Sequence, residues 1–338
     1  FESGLSKYES IGSNKIIEIA IIINIKFLAY RKTQLARHEE RPRAKYFIDN
    51  LFLNFINLSG DRYFGEDKSV LVGFASFEGQ SVLVIGQEKG DDLNSRIKNN
   101  FGMMRPEGYR KCVRLMKLAE KFNIPVISLI DTPGAYPGVG AEERGQAEAI
   151  ARSIETSMSL KVLNISIIIG EGGSGGAIAL ASSNKVIMLE NAIYSVISPE
   201  GCATILWRDP KKTLEAAQAM KLSAKDLLAF NIIDEIIYEP KGGAHRDRDT
   251  IINEVKKSIR NNLNELLKLN SDEIVEQRKN RFLSIGREKG FKTDISSFKK
   301  LSFLEDLFLR IKTKVTFIQF SFFLISLLFF GLLIFFII

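Results

Sequence analysis

Two glycine-rich segments hold most of the chemistry this sequence could perform. One is Asp131-Thr132-Pro133-Gly134-Ala135-Tyr136-Pro137-Gly138, and the other is Gly170-Glu171-Gly172-Gly173-Ser174-Gly175-Gly176-Ala177. Each follows an apolar run and precedes a segment with helical spacing. Glycine permits close backbone approach and positive φ. A helix start leaves N–H groups pointing outward, with the positive end of the helix dipole behind them. Such a turn can hold a phosphate or stabilise an oxyanion that develops during reaction. It can also do no more than pack a helix tightly on a sheet.

Three chemistries compete. Nucleoside triphosphate hydrolysis needs G-x-x-x-x-G-K-[ST]; Gly170 and Gly175 have the spacing, but Gly176-Ala177 replaces the Lys-Ser/Thr pair. That reading is excluded. Dinucleotide binding fits Gly170-x-Gly172-x-x-Gly175, with Glu190 about twenty residues beyond Gly170. The helix between Gly176 and Lys185 is very short for that role. The third is enolate chemistry on a thioester, where backbone N–H groups of paired glycine turns stabilise enolate oxygens and no side-chain nucleophile is required. Ser174 also resembles a nucleophile elbow, G-x-S-x-G. A serine hydrolase would then need a downstream histidine, and only His245 is available.

Little else in the composition suggests a site. His38 and His245 are the only histidines. They cannot build a zinc site without carboxylate help, and they read as structural. Cys112 and Cys202 make no disulfide framework and fit a reducing compartment. The net charge of +7 divides into +4 from Arg287 onward and +3 before it. The latter is too mild and dispersed for a nucleic-acid footprint.

The elements that must position the glycine turns follow from periodicity. Residues 1–44 read as a mainly helical lead-in, closed by Arg41-Pro42-Arg43, where proline pushes the preceding residue out of a helix. Residues 45–57 show helical spacing, and 69–88 read as two strands around Glu78-Gly79. Residues 106–122 place Tyr109, Cys112, Val113, Met116, Ala119 and Phe122 on one helical stripe. Apolar runs 124–130 and 162–169 read as buried strands that feed the two glycine segments. A helix is expected over 141–158, a strand over 185–189, helices around 211–220 and 223–229, a strand near 232–238 and amphipathic helix over 249–283. Strands alternating with helices imply an α/β layer structure with partly parallel strands.

Residues 287–314 read as a basic linker. Residues 315–338 carry no charge and eight of the 24 Phe. As helix they would span about 36 Å, enough for a hydrocarbon core of about 30 Å. They are a candidate membrane-spanning tail, and an equal reading is a gene-model artefact.

The runs NFGMMRPEGYRK, IDTPGAYPGVGAEERGQAEAIAR, IGEGGSGGAIA, YSVISPEGCATILW and EPKGGAHRD resemble the carboxyltransferase alpha subunit of bacterial and plastid-type acetyl-CoA carboxylase. The resemblance runs from about Gln34 to about Gly286. It implies a crotonase-like fold (ClpP/crotonase superfamily) built of ββα units, in a domain spanning 45–286. It implies transfer of a carboxyl group from carboxybiotin, carried on a biotin carboxyl carrier protein, to acetyl-CoA. The product is malonyl-CoA, the first committed step of fatty acid synthesis. It also implies a zinc-ribbon beta subunit in an α2β2 assembly, a separate biotin carboxylase that uses the ATP, no metal on this chain and no nucleic-acid partner. The location implied is cytoplasm or plastid stroma, with membrane association only through 315–338.

On the same resemblance, Gly175 and Gly176 supply the catalytic backbone N–H groups for the biotin ureido oxygen. Gly172, Gly173 and Ser174 complete that turn, and Gly134, Ala135 and Tyr136 line the same cavity. Asp131 reads as a turn cap, and Glu142, Glu143 and Arg144 as fold and interface charges. Around Gln87-Glu88-Lys89-Gly90-Asp91 the chain departs from the family's basic run. That puts a phosphate-holding role of the patch in doubt. The alternatives that remain are an NAD(P)-dependent oxidoreductase and a non-catalytic partner of the same fold.

Overall fold

The structure, a computed structural model, describes residues 29–286. Chain contacts separate Phe1–Ile285 from Gly286–Ile338. Apart from Gly286 the second unit lies outside the described residues, and so does most of the lead-in. The expected linker and membrane tail therefore fall outside them. Among the described residues no helix is long and apolar enough to cross a membrane.

Residues 29–36 are helical (α1). Then follow α2 (Ala44–Leu51), β1 (Leu53–Asn57), β2 (Val70–Phe77), β3 (Gln80–Gln87), α3 (Leu93–Lys98) and α4 (Pro106–Lys121). The centre comprises β4 (Val126–Thr132), α5 (Val139–Glu143), α6 (Gln146–Ser159), β5 (Asn164–Gly173), α7 (Ser174–Ala181), β6 (Lys185–Leu189) and β7 (Ile193–Ser195). The remainder is α8 (Pro199–Cys202), α9 (Thr213–Ala219), α10 (Ala224–Ala229), β8 (Glu235–Ile237), α11 (Arg248–Leu266) and α12 (Ser271–Ser284).

One eight-stranded mixed sheet runs β1-β2-β3-β4-β5-β6-β8, with β7 beside β5. β1, β2 and β3 are antiparallel, and β3 through β6 and β8 are parallel. The hairpin turns at Glu78 and Gly79, both with positive φ, as a tight two-residue loop demands. Strand β4 is buried at every position, and β5 at all but its last. Runs such as Val126-Ile127 and Ile165 to Ile169 therefore read as continuous rather than alternating apolar. Helix α4 buries Tyr109, Cys112, Val113, Met116 and Ala119 of the expected stripe, but Phe122 caps its end and is exposed.

Three expectations need correction. The helix expected over 45–57 ends at Leu51, and Leu53–Asn57 instead pairs with β2 as an edge strand. Its apolar groups are mostly exposed, so burial never selects helix there. The helix expected over 141–158 breaks at Gly145, whose φ is +80°. The amphipathic run 249–283 is two helices, because Asn270 and Glu273 form a capping box that starts α12 afresh.

Candidate active site

Strands β4 and β5 are parallel neighbours, with Thr132 opposite Gly172. Both glycine segments therefore leave the same edge of the sheet side by side, the place where open α/β sheets bind ligands. The second segment is not a loop. Gly170 to Gly173 continue β5, with Glu171 to Gly173 paired to β7. Helix α7 starts at the next residue. The chain turns from strand to helix through Ser174 alone, at φ +50°. A left-handed non-glycine residue costs about 1 kcal/mol or more, and here it is held by strand on one side and helix on the other.

This geometry separates the glycines. Gly175 and Gly176 lie in the first turn of α7, where a helix leaves its N–H groups without intrahelical partners, and no side chain caps them. A Cβ on Gly176 would sit 2.6 Å from the Gly134 carbonyl carbon and 2.9 Å from the Ala135 nitrogen. The two segments thus touch backbone to backbone. A Cβ on Gly175 would meet only Ile150, at 3.7 Å. Thr132 fastens the first turn, its hydroxyl donating to the Gly134 carbonyl and accepting from the Gly134 N–H. Tyr136 is half-buried, its N–H on the Met104 carbonyl, its own carbonyl held by Gln146 and its ring under the Arg105 guanidinium at 4.4 Å.

Gly173 is pressed against the Pro133 carbonyl, and Gly172 stands opposite Thr132 where β5 pairs with β4. The dinucleotide spacing loses its meaning, because Gly170 and Gly172 are strand residues. Gly170 is small for a different reason: a side chain would strike the Asp131 carboxylate.

Asp131 is not a turn cap. It is fully buried, with Lys89 at 2.8 Å, Arg43 at 3.0 Å and the Glu171 N–H at 2.9 Å. Lys89 also holds Glu171 at 2.5 Å, and Arg37 holds the other Glu171 oxygen at 2.6 Å. Five alternating charges therefore run beneath the turns, from Arg37 through Glu171, Lys89 and Asp131 to Arg43. Burial alone would raise both carboxyls. The Lys89 ammonium outweighs it, helped by Arg43 at Asp131 and Arg37 at Glu171, and holds both below the usual carboxylate range. Deleting one member of such a buried set costs about 3–5 kcal/mol.

The Gln87-Glu88-Lys89 run belongs to this support. The Gln87 amide donates to the Gly176 carbonyl at 2.9 Å, and Glu88 accepts the Lys45 and Gly90 N–H groups. All three residues are buried, whereas Asp91 at the end of the same run is exposed. Arg144 pairs with buried Glu107 at 3.0 Å, a fold charge as expected.

Sequence reasoning missed this network, although Arg41-Pro42-Arg43 was read as a boundary. It also missed that the two histidines meet. His38 and His245 stack with ring centroids 3.8 Å apart and planes 9° from parallel, and Glu40 adjoins them. Parallel rings send their lone pairs side by side rather than towards one point. Ser174 has no approach to His245 by any hydrogen bond among the described residues, which removes the hydrolase arrangement.

Beyond the turns an apolar cavity of about 600 Å³ extends from Ile178 along Tyr194, Ile197, Cys202 and Met220. Its outer wall leaves Val196, Ile205 and Leu206 exposed by 66–72%.

Residues 13–286 match the family model described as acetyl co-enzyme A carboxylase carboxyltransferase-like. The chain is 73% identical over 276 residues to the acetyl-coenzyme A carboxylase carboxyl transferase subunit alpha of Pelagibacter ubique, covering 82% of this chain and 75% of that protein. To the protein of the same name from Rhodopseudomonas palustris it is 57% identical over 261 residues, covering 77% and 82%. Among solved structures it resembles the transcarboxylase 12S subunit, with a TM-score of 0.55, 18% identity and 67% of this chain covered. The chain spans 42% of the length of that transcarboxylase chain, and the likeness is one of fold, a mixed α/β architecture.

Proposed function

This chain belongs to the acetyl co-enzyme A carboxylase carboxyltransferase-like family, and from that premise we propose how its two glycine turns serve carboxyl transfer. It acts as the alpha subunit of an acetyl-CoA carboxylase carboxyl transferase, moving a carboxyl group onto acetyl-CoA to form malonyl-CoA. The carboxyl donor is carboxybiotin on a carrier protein, which supplies the group already activated. What this chain must supply is stabilisation of the negative charge left on the biotin ureido oxygen once the carboxyl departs.

The observation that carries the reading is the backbone contact between Gly176 and the Gly134–Ala135 peptide. It sets the uncapped first turn of α7, which carries the N–H groups of Gly175 and Gly176, against the other glycine turn. Donors fixed before reaction are worth more than mobile ones, because they do not reorganise as charge develops. Ser174 fixes the entry to α7, Gln87 anchors the Gly176 carbonyl, and the buried charge chain holds β4 and β5 in register. We assign Gly172, Gly173, Gly134, Ala135 and Tyr136 to the walls of the substrate site. The thioester enolate needs a second set of donors, which we assign to a beta subunit seated over the exposed Val196, Ile205 and Leu206.

The test is malonyl-CoA formation by the full chain with its beta subunit and a carboxybiotin carrier. Gly176→Val should abolish turnover and leave subunit assembly intact, as read by size-exclusion chromatography. Full turnover by that variant sinks the assignment. Activity that depended on NAD(P) would favour the oxidoreductase alternative.

A further inference from the structure

A second cavity, of about 720 Å³, lies between the loop carrying Asp61 to Phe64 and the outer faces of α4 and α6. Its dominant feature is positive charge drawn from four separate stretches of chain. Arg110, Arg114 and Lys117 project from one face of α4 at i, i+4 and i+7 spacing. Arg62, Arg144 and Arg152 join them from the loop, the end of α5 and α6.

Half of these cations are already neutralised. Arg110 pairs with Asp61 at 2.8 Å, Arg144 with Glu107 at 3.0 Å, and Arg152 with Glu148 and Glu155 at 3.2 and 2.9 Å. Arg62, Arg114 and Lys117 have no carboxylate partner among the described residues. Arg114 reaches only the Ser59 and Gly60 carbonyls, and its Nε is buried without a partner. Burial and the neighbouring Arg62 charge lower its pKa and outweigh the opposing Glu66 and Asp61 charges, the condition an incoming anion would relieve.

Beside these three cations stand two exposed aromatic rings, Tyr63 at 89% and Phe64 at 64%. Their loop is fixed. The Asp61 carboxylate accepts the N–H groups of Tyr63, Phe64 and Gly65 at 2.8–3.0 Å, and Arg144 lies over the Phe64 ring at 4.2 Å. Uncompensated guanidinium and ammonium groups select phosphoryl oxygens. An exposed, pre-positioned ring selects a flat heterocycle, worth about 1–3 kcal/mol per stacked base. The volume falls in the range of about 300–1,000 Å³ usual for small-ligand sites.

We propose that this groove is a nucleotide-binding site, with a diphosphate on Arg62, Arg114 and Lys117 and the base stacked on Tyr63. It stands apart from the carboxyl-transfer turns. Ile150 of α6 faces Gly175, whereas Glu148 and Arg152 of the same helix face the groove. A bound nucleotide therefore has a helix between itself and the reacting atoms. Two sources share this chemistry, a free nucleotide and the ADP end of coenzyme A.

The experiment is calorimetric titration of the full chain, assembled with its beta subunit, with ADP, adenosine and inorganic pyrophosphate in turn. ADP should bind saturably at one site per alpha chain and weaken about tenfold between 50 and 300 mM salt. The exposed pair R62E/K117E should weaken ADP by 30-fold or more and leave kcat for carboxyl transfer within twofold. Tyr63→Ala should weaken ADP about tenfold and leave pyrophosphate within twofold. A raised KM for acetyl-CoA in R62E/K117E identifies the nucleotide as the coenzyme's own; an unchanged KM identifies a free nucleotide. Absence of saturable ADP binding, or ADP binding unaltered in R62E/K117E, overturns the proposal. Equal loss of ADP and pyrophosphate in Tyr63→Ala overturns the base-stacking arrangement.

Discussion

Gly175 and Gly176 are adjacent and chemically identical, yet the fold gives them unequal tolerance. A methyl on Gly176 meets the Gly134–Ala135 peptide at 2.6–2.9 Å, and that backbone cannot yield without moving the other turn. A methyl on Gly175 meets the Ile150 side chain at an ordinary 3.7 Å. Both alanine variants keep the backbone N–H. Gly176→Ala should therefore lose carboxyl transfer by 100-fold or more, since a misplaced donor costs about 3–4 kcal/mol of barrier. Gly175→Ala should stay within about tenfold, and kcat for malonyl-CoA formation separates the two. The glycine cluster itself was legible from composition and spacing. The difference between its members was not, because it depends on a turn forty residues away. The same holds for Asp131, whose partners Lys89 and Arg43 come from other elements and carry no local signal.

At the scale of elements, most of the parallel sheet could be read from apolar runs ending in glycine. The helix divisions were half legible. Asn270-x-x-Glu273 is a capping signal present in the sequence, whereas Gly145 in αL conformation is one glycine among 25. Beside Gln277 on Asn184 and Arg281 on Asp234, a fully buried side chain fastens α12. Arg278 donates to the carbonyls of Leu160 and Val162 at 2.7 and 2.8 Å and to the Asn184 amide oxygen at 2.6 Å. It ties α12 to the turn between α6 and β5. Burial lowers its pKa to about 10 against the opposing charge of Glu120. Arg278→Met keeps much of the volume but takes the donor from the Leu160 and Val162 carbonyls, at about 1–3 kcal/mol each before relaxation, while the Asn184 amide oxygen keeps the Asn164 N–H. We expect a loss of about 3 kcal/mol in urea unfolding, with amide exchange in α12 rising before that in β4 or β5. An unchanged urea midpoint would show that the carbonyls find other donors.

Across the whole described molecule, the segment between α1 and α2 is held mainly by charge. Arg37, Arg41 and Arg43 each grip a buried acid of the core: Glu171 at 2.6 Å, Glu239 at 2.7 Å and Asp131 at 3.0 Å. Burial pushes all three carboxyls up, but Lys89 with Arg37 at Glu171, Lys89 with Arg43 at Asp131, and Arg41 at Glu239 prevail, so each lies below its ordinary value. Asp61 behaves alike and is lowered to about 2, its three backbone N–H donors and Arg110 outweighing burial. A carboxylate whose folded pKa is depressed gives its full stabilisation above the unfolded value of about 4 and loses it as pH falls through the folded one. Asp67 and Glu88 have the opposite sign, raised chiefly by burial, and they recover a part of that loss in acid. Among the buried carboxyls, four lowered against two raised make acid destabilising overall. Stability should hold from pH 7 to about 5 and fall progressively from about 4 towards 2. Because three of the four lowered acids bind the arginine segment, residues 37–43 should be released first. Hydrogen exchange at pH 3 should show their amides opening while those of β4 and β5 stay protected. Simultaneous opening of both would mean that the segment is held by apolar packing and not by its three ion pairs.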